Sequence, residues 1–80
     1  MAVGEDIHIA QRVAKAMQTV HRGGADAVEI HGSWRDQVLA KSIVSDFVEA
    51  FELNVTLSEL PDGFTVALHN PPLRTISVEL

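Results

Sequence analysis

Apolar residues recur at helical spacing in two long segments of the chain. The first segment spans residues 5 to 22, and a glycine pair at 23 and 24 predicts its end. The second runs from residue 34 to about residue 53, with Ser33 in the position of a helix N-cap. The apolar stripes are Ile9, Ala10, Val13, Ala16, Met17 and Val20 in the first, and Ala40, Ile43, Val44, Phe47, Val48 and Phe51 in the second. The spacing therefore predicts two amphipathic helices, each with one buried side.

Four shorter segments alternate between apolar and polar residues, which predicts β-strands. They are "ADAVEIHG" from residue 25, "NVTLSEL" from 54, "FTVALH" from 64 and "TISVEL" from 75. The inward residues are expected to be Val28, Ile30, Val55, Leu57, Phe64, Val66, Leu68, Ile76, Val78 and Leu80, leaving an open face rich in Thr and Ser. Ala27, Glu29 and His31 are expected to face the open side.

The simplest packing for these elements places both helices on the same side of one sheet. We therefore expect one α+β domain over residues 1–80, a two-layer sandwich with two helices on one face of a four-stranded mixed sheet. The strand–helix–strand unit from 27 to 58 is expected to be a right-handed parallel crossover.

Charge is unevenly distributed along the chain. Six Lys and Arg stand against eleven Asp and Glu, a formal net charge of −5, which disfavours nucleic-acid binding as a class. However, Arg12, Lys15 and Arg22 lie in a stretch without any acid, which predicts a local basic face.

Composition also limits the possible chemistry and location. The absence of cysteine excludes disulfides, thiolate metal sites and thiol nucleophiles. No apolar run approaches the roughly 20 residues that span a bilayer, and the first residues do not have the pattern of a signal peptide. We therefore expect a cytoplasmic protein that does not enter a membrane.

The only tryptophan lies where the first strand gives way to the second helix. Trp34 and Val38 fall on the side of that helix opposite Ala40 and Phe47, away from the apolar stripe. Trp34 could cover the end of the sheet, or it could anchor a protein partner together with Val38, since tryptophan is enriched at interface hot spots. A third possibility is base stacking, for which Arg35 supplies one cation while Asp36 supplies an acid.

The turn at residues 31–36 is a second candidate site. A strand followed by Gly32, Ser33 and a helix N-terminus has the geometry in which free backbone amides bind anions. His31 and Ser33 are the candidate side chains there for a small enzyme or a ligand-binding domain. The four histidines show no metal-binding spacing, so we expect no metal ligands.

The order of the segments resembles the Alba superfamily, and within it the bacterial stage V sporulation protein S group. The similarity is carried by "AVG", "GADAVEIHG", "SWRDQVLAKSIVSDFVEAF", "NVTLSEL" and "RTISVEL". It implies a βαβαββ fold with a short first strand at "MAV", dimerisation, and nucleic-acid binding without enzymatic activity. The matching contact positions are Glu5 and Asp6, Gly32 to Arg35, and His69 to Arg74. Arg35 and Arg74 have the charge such contacts need, whereas Glu5 and Asp6 have the opposite charge.

We therefore expect a non-catalytic regulatory or scaffold module, homodimeric and without a cofactor, that acts through protein contacts at Trp34 and Val38. The alternative is nucleic-acid binding through a basic face formed by Arg12, Lys15, Arg22, Arg35 and Arg74. A second alternative is a small ligand- or anion-binding domain at the 31–36 turn, centred on His31 and Ser33, with Gly32 as a further candidate for anion binding.

Overall fold

A computed structural model describes residues 3–80 of the chain, with side chains from residue 6 onward. Its elements, in chain order, are α1 (Val3–His21), β1 (Ala27–His31), α2 (Trp34–Phe51), β2 (Thr56–Leu60), β3 (Gly63–Ala67) and β4 (Thr75–Glu79). The two helices, the four strands and their mixed sheet confirm the predicted α+β class.

The four strands form one sheet in the order β2-β3-β1-β4. Strand β1 is antiparallel to β3 and parallel to β4, and β2 is antiparallel to β3. It follows that β1 and β2 run in the same direction, as predicted for the 27–58 unit, with β3 lying between them. The two edges of the sheet are β2 and β4.

Both helices pack on the same face of the sheet. The buried core joins Val13 and Met17 of α1, Val44 of α2, and Ile30 and Phe64 of the central strands, all of them 1% exposed or less. Helix α1 contacts β1 and β4, whereas α2 contacts β1 and β3. The two-layer arrangement predicted from the single apolar stripe on each helix is therefore confirmed.

The ends of both helices follow their local sequence. Ser33 is the N-cap of α2, and its hydroxyl accepts a hydrogen bond from the Asp36 backbone N–H at 3.3 Å. The same helix closes with Glu52 in the left-handed region, at φ 53°. Helix α1 ends before Gly23, which adopts φ +84°. These caps fix where the chain enters and leaves the helical layer.

The structure differs from the sequence-based predictions at four positions. Val3 is helical, so the first strand implied at "MAV" is absent at that residue, while Met1 and Ala2 lie outside the described residues. Leu57 faces the helices but is 49% exposed, because β2 is an edge strand against which α2 packs less closely than against β1 and β3. Phe51 is also largely exposed and stacks on Phe47 at the helix end.

The fourth correction concerns the open face of the sheet. Ala27 was expected to be exposed there but is fully buried, and it pairs with Ala67 and Thr75 on the neighbouring strands. The polar character of the open face is otherwise as predicted. One row across the sheet consists of Ser58, Thr65, Glu29 and Ser77.

Candidate interaction surfaces

Trp34 and Val38 lie on an exposed side of α2, next to the β2 edge of the sheet. Trp34 is 72% exposed and Val38 51% exposed, so the prediction that they lie off the core is confirmed. The Lys41 ammonium group lies 5.9 Å from the Trp34 ring centroid and 2.8 Å from a carboxylate oxygen of Glu59 on β2. Lys41 thereby places the indole beside the edge strand.

Sequence reasoning did not identify the contribution of β2 to this surface. Its five residues are exposed or half-buried, and Leu57 adds a third exposed apolar side chain on the helical side. The sequence "TLSEL" contains a signal that β2 is an edge strand. Glu59 lies on the face of the sheet that the helices cover, where an acidic residue is tolerated only at an edge. We refer to Trp34, Val38, Lys41, Leu57 and Glu59 as the α2–β2 surface.

The backbone of β2 also has free hydrogen-bonding groups. The Leu68 N–H donates to the Asp26 carbonyl, and the Gly32 N–H donates to the Asp62 carbonyl, so the even-numbered residues of β3 bond to β1. The odd-numbered residues of β3 therefore bond to β2, through Thr56, Ser58 and Leu60. By alternation, the N–H and C=O groups of Leu57 and Glu59 point away from the sheet.

Most of the predicted basic residues lie together on the opposite side of the molecule. Arg12 and Lys15 lie on one face of α1, beside β4, and Arg22 directly follows the end of this helix. The Arg12 guanidinium donates to the Glu79 carbonyl at 2.6 Å, and Arg74 donates to the Gly23 carbonyl at 3.1 Å. Arg35 is separate from this group, 3.8 Å from Asp6 at the start of α1. The predicted basic face thus forms without Arg35.

An open groove of about 390 Å³ separates α1 from β4. Ile76 and Val78, both half-buried, lie on the strand side, and Ala16 and Thr19 lie on the helix side. Arg12 and Lys15 add two cations, opposed by Glu79 alone among the lining residues. We refer to these lining residues, with Ser77, as the basic groove.

Several polar groups at the 31–36 turn already have partners within the protein. The Gly32 N–H donates to the Asp62 carbonyl, the Asp36 N–H to the Ser33 hydroxyl, and the Gln37 backbone N–H to the Ser33 carbonyl. The Gln37 side chain is 8% exposed, and its amide donates to the Gly32 carbonyl at 2.8 Å. The carboxyl group of Asp36 adds negative charge in the first turn of α2. These contacts stabilise the turn, and the Asp36 carboxylate opposes the binding of an anion there.

His31 lies on the open face of the sheet between two carboxylates. Its Nδ1 is 3.0 Å from Asp62 Oδ1, and its Nε2 is 3.3 Å from Glu29 Oε1. The hydrogen bonds to Asp62 and Glu29 raise the pKa of His31, and the charges of Asp62 and Glu79 add to this, whereas partial desolvation opposes it. Because ionised carboxylates only accept hydrogen bonds, the arrangement favours the doubly protonated ring. With both nitrogens engaged, His31 is poorly placed to act as a base or a metal ligand.

Two further properties concern the described part of the chain as a whole. No helix within residues 3–80 combines the length and apolar character needed to cross a membrane. Among the described side chains, no three His, Asp or Glu residues are arranged to hold a metal ion.

Comparison with known proteins provides no family assignment. The chain matches no protein-family model, no curated protein and no solved structure.

Proposed function

We propose that this chain is a non-catalytic module that acts through protein contacts, and that it forms a homodimer through the α2–β2 surface. The observation that carries the proposal is the 72% exposure of Trp34 beside an open strand edge. A large indole held out from a small domain is costly to leave in water and is a common anchor at interfaces.

The β2 edge supplies the geometry for self-pairing. If two β2 strands pair antiparallel about Ser58, Leu57 of each copy lies opposite Glu59 of the other. Both residues have outward N–H and C=O groups, so this register forms four hydrogen bonds between the copies. The same operation brings the two α2 helices together in the helical layer. A twofold-symmetric dimer would therefore bury the exposed apolar side chains and satisfy the free backbone groups in the same interface.

The size of the apolar contribution indicates a weak dimer. Burying the exposed part of one indole removes roughly 180 Å² from water, so two copies contribute about 9 kcal/mol. Association costs about 4–15 kcal/mol in lost translational and rotational freedom. The strand hydrogen bonds and the neighbouring Val38 and Leu57 are then needed for a net gain. We expect a dissociation constant in the range of about 1–100 μM.

Sedimentation velocity across concentrations of about 1–300 μM tests the proposal. Wild-type protein is expected to shift from monomer to dimer, and Trp34→Ala to remain monomeric over this range. The matched control is Ile7→Ala, which removes an apolar side chain of 52% exposure from α1.

A proline variant tests the strand pairing separately from the indole. Leu57→Pro removes an outward N–H and leaves the bonds to β3 in place, so it is tolerated at an edge but blocks pairing. Its control is Ser77→Pro on the β4 edge, with circular dichroism confirming that both variants fold. A wild-type monomer throughout, or equal losses from Trp34→Ala and Ile7→Ala, would contradict the proposal.

A further inference from the structure

We infer that the basic groove binds an acidic peptide in extended conformation, which adds to β4 as a fifth strand of the sheet. The inference does not depend on the dimer, because the groove and the α2–β2 surface lie at opposite edges of the sheet.

The β4 edge has the backbone groups that an added strand requires. The Arg74 carbonyl accepts from Asp26 and Ala27, and the Leu80 N–H donates to the His31 carbonyl, so the even-numbered residues of this strand bond to β1. In a parallel ladder the residues between them point the other way. The N–H and C=O groups of Thr75, Ser77 and Glu79 therefore face outward. The Arg12 contact to the Glu79 carbonyl confirms this direction.

Charge selects the kind of strand that fits. Side chains of an added strand that point towards the helical layer would lie beside Arg12 and Lys15. Carboxylates at alternate positions can pair with these two cations, and Arg12 exchanges the Glu79 carbonyl for one of them. The side chains in between would lie on the open face near Ser77 and Glu79, where small polar residues fit and acids are repelled.

The same charges disfavour a second copy of this chain in the groove. Pairing two β4 strands would bring Arg12 and Lys15 of both copies onto one side of the joined sheet, where the like charges repel. The basic side of the molecule carries Arg12, Lys15, Arg22 and Arg74. Among the described side chains, only Arg35 and Lys41 then remain to offset the eight acids other than Asp26 and Glu79. An acidic partner is therefore attracted to this side and repelled elsewhere.

A nucleic-acid strand could engage the cations of the basic groove but not the outward backbone groups of β4. Its phosphates could pair with Arg12 and Lys15, but a sugar–phosphate backbone has no N–H groups for the outward carbonyls of Thr75 and Ser77. A peptide backbone supplies donors and acceptors in the alternation that an edge strand requires. This difference favours the peptide.

The probe for the test is a fluorescein-labelled octapeptide of alternating Glu and Thr, measured by fluorescence anisotropy up to about 1 mM protein. We expect saturable binding that Lys15→Gln weakens about two- to fivefold, the range of one exposed ion pair. Arg35→Gln removes the same charge away from the groove and is expected to leave binding unchanged. A Gln–Thr peptide is expected to bind at least several-fold more weakly.

Proline substitutions that remove backbone N–H groups distinguish strand addition from simple charge attraction. Ser77→Pro removes an outward N–H of β4 and is expected to abolish binding, whereas Leu57→Pro on the other edge is expected to retain it. Amide resonances of Thr75, Ser77 and Glu79 are expected to shift on titration with the peptide. The inference is overturned if no binding is seen, if Ser77→Pro binds like wild type, or if an oligothymidylate of eight nucleotides binds more tightly than the peptide.

Discussion

Replacing Gly63 by alanine is expected to destabilise the protein more than the same change at Gly23, Gly24 or Gly32, the other glycines whose surroundings the structure describes. Gly63 begins β3 and pairs with His31 of β1. A Cβ atom built there overlaps the carbonyl oxygen of Ile30 and lies 2.9 Å from its carbonyl carbon and 3.0 Å from His31 Cα. Non-bonded carbon atoms settle about 3.5–4.0 Å apart. The neighbouring atoms are backbone, so they cannot rotate away as the end of a side chain could.

The magnitude follows from the movement that relieves the overlap. Strands β1 and β3 must separate by on the order of 1 Å at this point. Such a shift breaks the 3.0 Å hydrogen bond from the Gly32 N–H to the Asp62 carbonyl, worth about 1 kcal/mol. Overpacking strain adds about 1–3 kcal/mol. The expected loss is therefore about 2–4 kcal/mol, a large share of the roughly 4–12 kcal/mol typical of an 80-residue domain.

Urea denaturation followed by circular dichroism measures the loss. Gly23→Ala is the matched control, because both variants change the unfolded chain in the same way. Gly23 has nothing within 4 Å of its added methyl group, and only its φ of +84° opposes the change, at a cost of about 1–2 kcal/mol. The reasoning is refuted if the unfolding free energy of Gly63→Ala lies within about 1 kcal/mol of the wild-type value, or is no lower than that of Gly23→Ala. Strands β1 and β3 would then have room for the added methyl group.

Two further outcomes are expected. Gln37→Leu leaves the Gly32 carbonyl without its side-chain donor at the start of α2, so urea denaturation should show a loss of about 1–3 kcal/mol in unfolding free energy. The control Val38→Ala, at an exposed neighbouring position, should change stability by less than about 0.5 kcal/mol. Equal values for the two variants would exclude this role for Gln37. The raised pKa of His31 means that its charged form stabilises the fold below its ordinary pKa of 6.5 and that this contribution fades as pH rises through the folded value. The stability difference between wild type and His31→Gln should therefore be larger near pH 6 than near pH 9, and a difference that is constant or grows with pH would refute the assignment of the charged ring.

Short-range patterns in the sequence predicted the helices and strands well, because their causes are local. The stripes through Val13 and Val44 and the cap at Ser33 depend on residues a few positions apart. The two-layer packing followed from the single apolar side of each helix. The exposure of Trp34 was likewise readable from its position on the helical wheel, because the burial of Ala40 fixes the rotation of α2.

The order of strands in the sheet could not be read in the same way. That β2 is an edge, and so leaves Leu57 half exposed, depends on β3 taking the place beside β1. The basic groove depends on a contact between Arg12 and Glu79, which are 67 positions apart. Burial of Gln37 depends on a carbonyl group that only the folded turn presents. Each of these features arises from pairing between distant segments, for which alternation and helical spacing carry no information.

The placement of β1 also has a consequence for how the chain folds. Its residue Ala27 is paired with Ala67 on one side and Thr75 on the other, so both neighbours of this strand come from the last third of the chain. High sequence separation of this kind slows folding, because a long loop must close before β1 can form any bond within the sheet. A nascent chain that has emerged only as far as α2 has no partner for its single strand, and it must hold Val28 and Ile30 against the two helices until β3 and β4 arrive.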